Sequence, residues 1–154
     1  CHGSDAGEGA LDMSARDQLL DLIASRQQDA LTVVSELIRR PSENPPGDTR
    51  AAGAYVAEWL NKAGHTPEVI EAKETLANVV AAIDNGPGRS LILNGHLDTF
   101  PLTEHAAWTR DPFSGAVEDG KIHGRGVADM KAGTARRSSR SACSASSARR
   151  GRAA

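Results

Sequence analysis

The hydrophobic period of this chain changes once, at Gly64, and that change limits the fold more than any other feature. Before it, apolar residues recur at helical spacing. Leu19, Ile23, Ala30, Val34 and Leu37 fall on one stripe, with Leu20, Leu31 and Ile38 beside it. Ser14 followed by Asp17, and Ser25 followed by Gln28, each resemble a capping box, so one long helix or two abutting helices are predicted over residues 15–40. Pro41 ends the run, and residues 42–48 (SENPPGD) read as a fixed turn or loop. Ala52, Tyr55, Val56, Trp59 and Leu60 define a second amphipathic helix, with Gly64 as its C′ residue.

Beyond Gly64 the apolar residues come in short runs. Residues 66–72 and 76–83 read as strands, Asn85-Gly86-Pro87-Gly88 as a turn, and residues 90–93 as a short strand buried on both faces. Two helices, two strands, a central strand and a further helix expected after Gly133 indicate an α/β sandwich.

Composition narrows the function classes. A chain of 154 residues forms about one domain, and its 39% apolar and 25% charged residues are those of a soluble globular chain. Aromatics at 3% argue against a stacking platform for nucleic acid. No apolar run approaches the roughly 20 residues of a membrane helix, so no membrane partner is expected. Cys1 and Cys143 make neither a disulfide framework nor a zinc-finger spacing, which fits a reducing, cytoplasmic setting. Residues 1–13 lack periodicity and read as a disordered leader, in which Met13 offers a natural start. Upstream read-through, a fragment or an acylated lipoprotein cysteine would each account for Cys1 in first place.

Charge divides the chain. Residues 1–133 hold all 20 acids against 12 basic residues, a net charge of −8. The remaining six basic residues are Arg136, Arg137, Arg140, Arg149, Arg150 and Arg152, in a stretch without a single acid.

Two segments carry chemistry. LILN (91–94) runs into Gly95-His96-Leu97-Asp98-Thr99, at the strand end where ligands gather in open α/β sheets. Residues two apart in extended chain point the same way, so His96 and Asp98 can share a pocket, the imidazole binding a metal while the carboxylate orients the ring. A satisfied histidine near a turn meets the same pattern. The second segment, 124–133 (GRGVADMKAG), fails as a dinucleotide fingerprint because Asp129 stands where glycine is needed. Its glycines allow a sharp turn that presents Asp129 either to a metal or as a helix N-cap.

Taken in order, Asn44-Pro45-Pro46-Gly47, Gly95-His96-Leu97-Asp98-Thr99-Phe100-Pro101, Trp108-Thr109-Arg110-Asp111-Pro112-Phe113, Asp119-Gly120-Lys121-Ile122-His123-Gly124-Arg125-Gly126 and Asp129-Met130-Lys131 resemble the motifs of a zinc-dependent exopeptidase and deacylase family. That family includes acetylornithine deacetylase, succinyl-diaminopimelate desuccinylase, aminoacylase and carboxypeptidase G. The resemblance covers residues 14–133, the N-terminal part of a metallohydrolase catalytic domain. It implies a truncated three-layer α/β sandwich of the di-zinc exopeptidase type, with the lid or dimerisation domain absent. It also implies two zinc ions, with cobalt as the alternative, and hydrolysis of an amide bond in a small N-acyl amino acid or peptide. On this pattern His96 matches a terminal zinc ligand, Asp129 the bridging carboxylate, and Asp98 the catalytic-site residue that orients His96. The family often has a cis peptide after the bridging aspartate, here Asp129–Met130. His105 and His123 fall outside the ligand positions.

The family's mechanism lowers the pKa of a metal-bound water, polarises the scissile carbonyl and moves the proton through a glutamate. That glutamate, another carboxylate ligand and a distant histidine would follow Asp129, where this chain has no Asp, Glu or His. The expectation is an inactive fragment, with a homodimer for the intact enzyme but not for this chain. Residues 134–154 lack helical periodicity, yet G/C-rich codons chosen throughout for residues 134–150 and read two bases later can give an alanine- and leucine-rich helix. The stretch is therefore expected to be frameshifted and disordered. The rival reading is a non-enzymatic relic whose basic tail binds nucleic acid or an acidic surface.

Overall fold

The computed structural model describes residues 14–84, 86–103 and 107–136. The leader 1–13, Asn85 of the expected turn, His105, Cys143 and the arginine-rich stretch from Arg137 onward lie outside the described residues.

The first helical stripe divides into two helices. Helix α1 (Ala15–Ser25) starts at Ser14, whose hydroxyl accepts the Asp17 backbone N–H at 3.2 Å and donates to the Asp17 carboxylate at 2.6 Å. Helix α2 (Gln27–Ile38) follows from Arg26 without a side-chain cap. The second capping box does not form, because the Ser25 hydroxyl turns back to donate to Leu22 O at 2.8 Å. Helix α3 (Arg50–Lys62) ends in a Schellman motif at Gly64, whose φ of 87° needs a residue without Cβ. There Gly64 N–H donates to Asn61 O at 2.9 Å and His65 N–H to Leu60 O at 3.0 Å.

Helices α2 and α3 make the core. Val33, Val34, Leu37 and Ile38 pack with Ala52, Val56, Leu60 and the distant Ala135. Burying each large aliphatic side chain contributes roughly 1.5–3 kcal/mol. Helix α1 stays outside this core. Leu19, Leu20 and Ile23 are half-exposed, although their spacing led us to expect a buried face.

Strands β1 (Glu68–Lys73) and β2 (Leu76–Val80) form an antiparallel hairpin with Val69 opposite Val79. It sits on α3 through Ala77, and a Cβ on Gly53 would lie 3.0 Å from that of Ala77. The buried Thr49 hydroxyl accepts Ala77 N–H at 2.9 Å and donates to Ala77 O at 3.3 Å, fixing hairpin to helix start. A second hairpin pairs β3 (Val117–Glu118) with β4 (Lys121–Ile122). Its two-residue turn, Asp119-Gly120, has both φ values positive, at 50° and 71°, as type I′ geometry requires.

The buried strand expected at 90–93 is not formed. Leu91 is 82% and Ile92 87% exposed, and no strand is assigned over 81–98. A strand buried on both faces needs ladder partners and cover. Among the described residues the sheets are the two hairpins, and neither reaches 90–93. The architecture is a mixed helix and sheet arrangement, a partial α/β domain. Val127–Lys131 then make one wide turn, and residues 132–136 continue as helix, with Thr134 and Ala135 buried. Among the described residues no helix is long and apolar enough to cross a membrane.

Candidate metal centre

The segment that carries His96 and Asp98 is unpaired as a strand but is clamped by the 42–49 loop. Thr99 N–H donates to Ser42 O at 2.9 Å, Asn44 N–H to Thr99 O at 2.8 Å, and the Ser42 hydroxyl to Leu97 O at 2.6 Å. From the other side the Thr134 hydroxyl donates to His96 O at 3.0 Å. Gly95 permits this approach, since a Cβ there would fall 2.6 Å from Thr134 Oγ1.

Asp129 is placed by a different device. Gly126 has φ 76°, and a Cβ on it would collide with Thr99 Cγ2, so the turn closes only with glycine at this position. Lys131 N–H then donates to Gly126 O at 2.9 Å. The fully buried Lys131 side chain donates from Nζ to Leu37 O at 2.8 Å and Arg40 O at 2.9 Å, pinning the turn to the C-terminal end of α2. Burial pushes the Lys131 ammonium down to about 8, against the opposing pull of Glu43. Cations are favoured at a helix C-terminus, which offsets part of that cost. The Asp129–Met130 peptide is cis, the form the resemblance implied.

These two devices bring the three expected site residues together. His96 Nε2 lies 3.0 Å from Asp129 Oδ1. On the opposite edge of the ring, His96 Nδ1 lies 3.0 Å from the Asp98 carbonyl and 3.2 Å from Asp98 Oδ1. Asp98 Oδ2 accepts from the Asn44 amide at 3.0 Å. Burial disfavours the charged imidazole and is the largest single effect, but the Asp98 carbonyl, the Asp129 carboxylate and both negative charges together outweigh it. His96 is therefore raised above its ordinary value. His123 follows β4, where its backbone N–H donates to Ala116 O at 2.9 Å.

The donor set suits a divalent ion. Two ligands on one zinc, with bonds of roughly 2.0–2.2 Å at a tetrahedral angle, stand about 3.3–3.6 Å apart, a few tenths of an ångström more than the 3.0 Å between His96 Nε2 and Asp129 Oδ1. Both side chains are open to solvent, 45% for His96 and 76% for Asp129. Among the described residues no three His, Cys, Asp or Glu side chains converge as metal donors. A cleft of about 460 Å³ opens alongside, lined by Asn44, His96, Asp98, Thr134 and β2.

Three supports carried no role in the sequence reading. Asn44 and Lys131 stood inside quoted motifs, and Arg125 did too. Arg125 ties the glycine turn to the chain after Thr99 by donating to Phe100 O at 2.7 Å and Pro101 O at 3.1 Å. An asparagine ahead of two prolines and a lysine two residues after Asp129 were the available pointers.

Fold and site together define a partial α/β domain with a histidine–carboxylate pair of metal-donor type. Residues 92–136 match the model of the peptidase family M20/M25/M40, which supports the family resemblance read from the sequence motifs. Members of that family are hydrolases of amide bonds and are generally metal-dependent, typically on zinc. The chain is 35% identical over 127 residues to an N-formyl-4-amino-5-aminomethyl-2-methylpyrimidine deformylase of Halalkalibacterium halodurans, covering 80% of this chain and 30% of the relative. It is 43% identical over 109 residues to a succinyl-diaminopimelate desuccinylase of a Methylobacterium species, covering 68% and 27%. To a desuccinylase of a Bradyrhizobium species it is 41% identical over 111 residues, covering 70% and 28%. The chain thus spans less than a third of the length of these curated relatives.

Proposed function

We propose that this chain is the metal-holding part of a zinc-dependent amide hydrolase that removes an acyl group from the nitrogen of a small amino acid or peptide. The observation that carries the reading is the approach of His96 Nε2 to Asp129 Oδ1, at 3.0 Å, while Asp98 occupies the other ring nitrogen. A single carboxylate and a neutral imidazole suit zinc or cobalt. His96 and Asp129 would hold the metal, Asp129 as the carboxylate shared between two ions. When bound, the metal supplies Lewis acidity and an activated water. Asp98 accepts the Nδ1 proton, which leaves the Nε2 lone pair free and fixes the ring. The cleft beside His96 and Asp98 is of a size for a small acyl substrate. The relatives, a deformylase and a desuccinylase, are by name proteins that take an acyl group off their substrates.

With two donors among the described residues instead of the three or four of a tight zinc site, this chain binds the ion weakly and does not turn over substrate appreciably by itself. The complete enzyme takes the layered α/β sandwich. Calorimetric titration of the chain with zinc tests the reading: weak binding abolished by His96→Ala and by Asp129→Ala is expected. Binding that survives both substitutions would place the metal elsewhere and overturn it.

A further inference from the structure

We propose that Asn44 is a positioning residue: the amide N–H that it donates to Asp98 Oδ2 holds that carboxylate against the Nδ1 edge of His96 and keeps Nε2 bare toward Asp129. The inference rests on the reading of His96 Nε2 as a metal donor and deepens it.

A neutral imidazole carries one proton, and His96 has acceptors on both nitrogens: Asp98 on Nδ1 and Asp129 on Nε2. If the proton goes to Asp129, Nε2 becomes a donor and no lone pair is left there for a metal. Retaining it on Nδ1 requires the acceptors on that edge to outcompete Asp129. The Asp98 carbonyl, at 3.0 Å, is fixed by the backbone, but the carboxylate is 36% exposed and turns about its own side-chain bonds unless held. Asn44 is the group that holds it, at 3.0 Å. An ionised carboxylate only accepts, so it is the NH₂ of Asn44 that faces Asp98.

The loop is built to present this amide. Asn44 N–H donates to Thr99 O at 2.8 Å, tying the asparagine to the residue after Asp98. Gly47, at φ 82°, folds back so that a Cβ on it would sit 3.2 Å from Asn44 Oδ1. Its N–H donates to Glu43 O at 2.9 Å, and its carbonyl accepts the Thr75 hydroxyl at 2.5 Å, which anchors the loop on the β1–β2 turn. The Asn-Pro-Pro-Gly run is in this account a mount for one hydrogen-bond donor.

The test uses the full chain labelled with nitrogen-15 histidine, with His96→Gln identifying the His96 signals, at a pH well above the histidine titration range. Ring nitrogen shifts report which atom carries the proton. In the wild-type chain the proton should reside mainly on Nδ1. Asn44→Leu, similar in size without the donor, and Asn44→Ala should each shift the Nδ1–H to Nε2–H ratio about tenfold toward Nε2 and weaken zinc binding about tenfold. An unchanged ratio in either folded variant overturns the inference, and so does unfolding of both variants, which would make Asn44 a purely structural loop residue. If the ratio shifts as expected but zinc fails to bind at His96, the positioning role stands and the metal reading fails. If zinc binds through His96 and the Asn44 variants bind it equally well, the metal reading stands and the positioning role fails.

Discussion

The two segments that converge on the site differ in what supports them. Residues 96–99 and the Asp129 turn are held by polar contacts from α2, the 42–49 loop and Thr134, and they adjoin the Leu37–Ile38 core. Residues 90–93, immediately upstream, carry three consecutive aliphatic side chains into solvent, as α1 does with Leu19, Leu20 and Ile23. The site geometry is thus set by point contacts to carbonyls and hydroxyls, while the sheet that hydrophobic patterning promised at 90–93 needs neighbours that the described residues do not include. A site can be assembled before the layer it belongs to.

Breaking the supported region should have the largest effect. Lys131→Met keeps most of the volume but removes the donor to the buried Leu37 O and the part-buried Arg40 O. A lost buried partner of this kind costs roughly 1–3 kcal/mol, and the turn holding Asp129 should loosen with it. A lower midpoint in denaturant unfolding, with an unchanged slope, is the expected result.

A smaller effect is expected at Glu36. Bonds from Arg40 and then Arg39 hold its carboxyl below the usual carboxylate range, at 2.7 Å each. Because its folded pKa lies below the unfolded one, this contribution is fully present above the unfolded pKa and is lost as pH falls through the folded value. Glu36→Gln should therefore cost about 0.5 kcal/mol at neutral pH, the range of partly exposed ion pairs. Unfolding measured across the acid range should show the difference between variant and wild type vanish.

The smallest effect on stability belongs to the unsupported region. The double change Leu91→Ser and Ile92→Ser touches side chains 82% and 87% exposed and should alter stability by less than about 0.5 kcal/mol. It should instead reduce self-association, because exposed aliphatic runs promote it. Light scattering at rising concentration separates the two outcomes.

Legibility in the sequence followed the same division. The amphipathic helices were readable from periodicity, and Gly64 and Ser14 from their capping chemistry, because both are local. The convergence of His96, Asp98 and Asp129 was legible as ordered motifs, not as a spatial pattern: 33 residues separate His96 from Asp129, and the 42–49 clamp, the Gly126 turn and the Lys131 pin bring them to one place. The Asp119-Gly120 hairpin had a local signature that went unused. The strand at 90–93 was misread because an apolar run encodes a preference for burial, and burial depends on partners elsewhere. Residues 134–136, expected as the start of a disordered stretch, are helical, and Ala135 is fully buried.

The central claim is that His96 and Asp129 face a metal together. X-ray absorption at the cobalt edge, on the chain loaded with one equivalent of cobalt, tests it most directly. The account predicts a shell of nitrogen and oxygen donors that contains one imidazole, with that imidazole signal absent in His96→Ala and with the oxygen shell altered in Asp129→Ala. A shell without imidazole, or one identical in wild type and both variants, would contradict it.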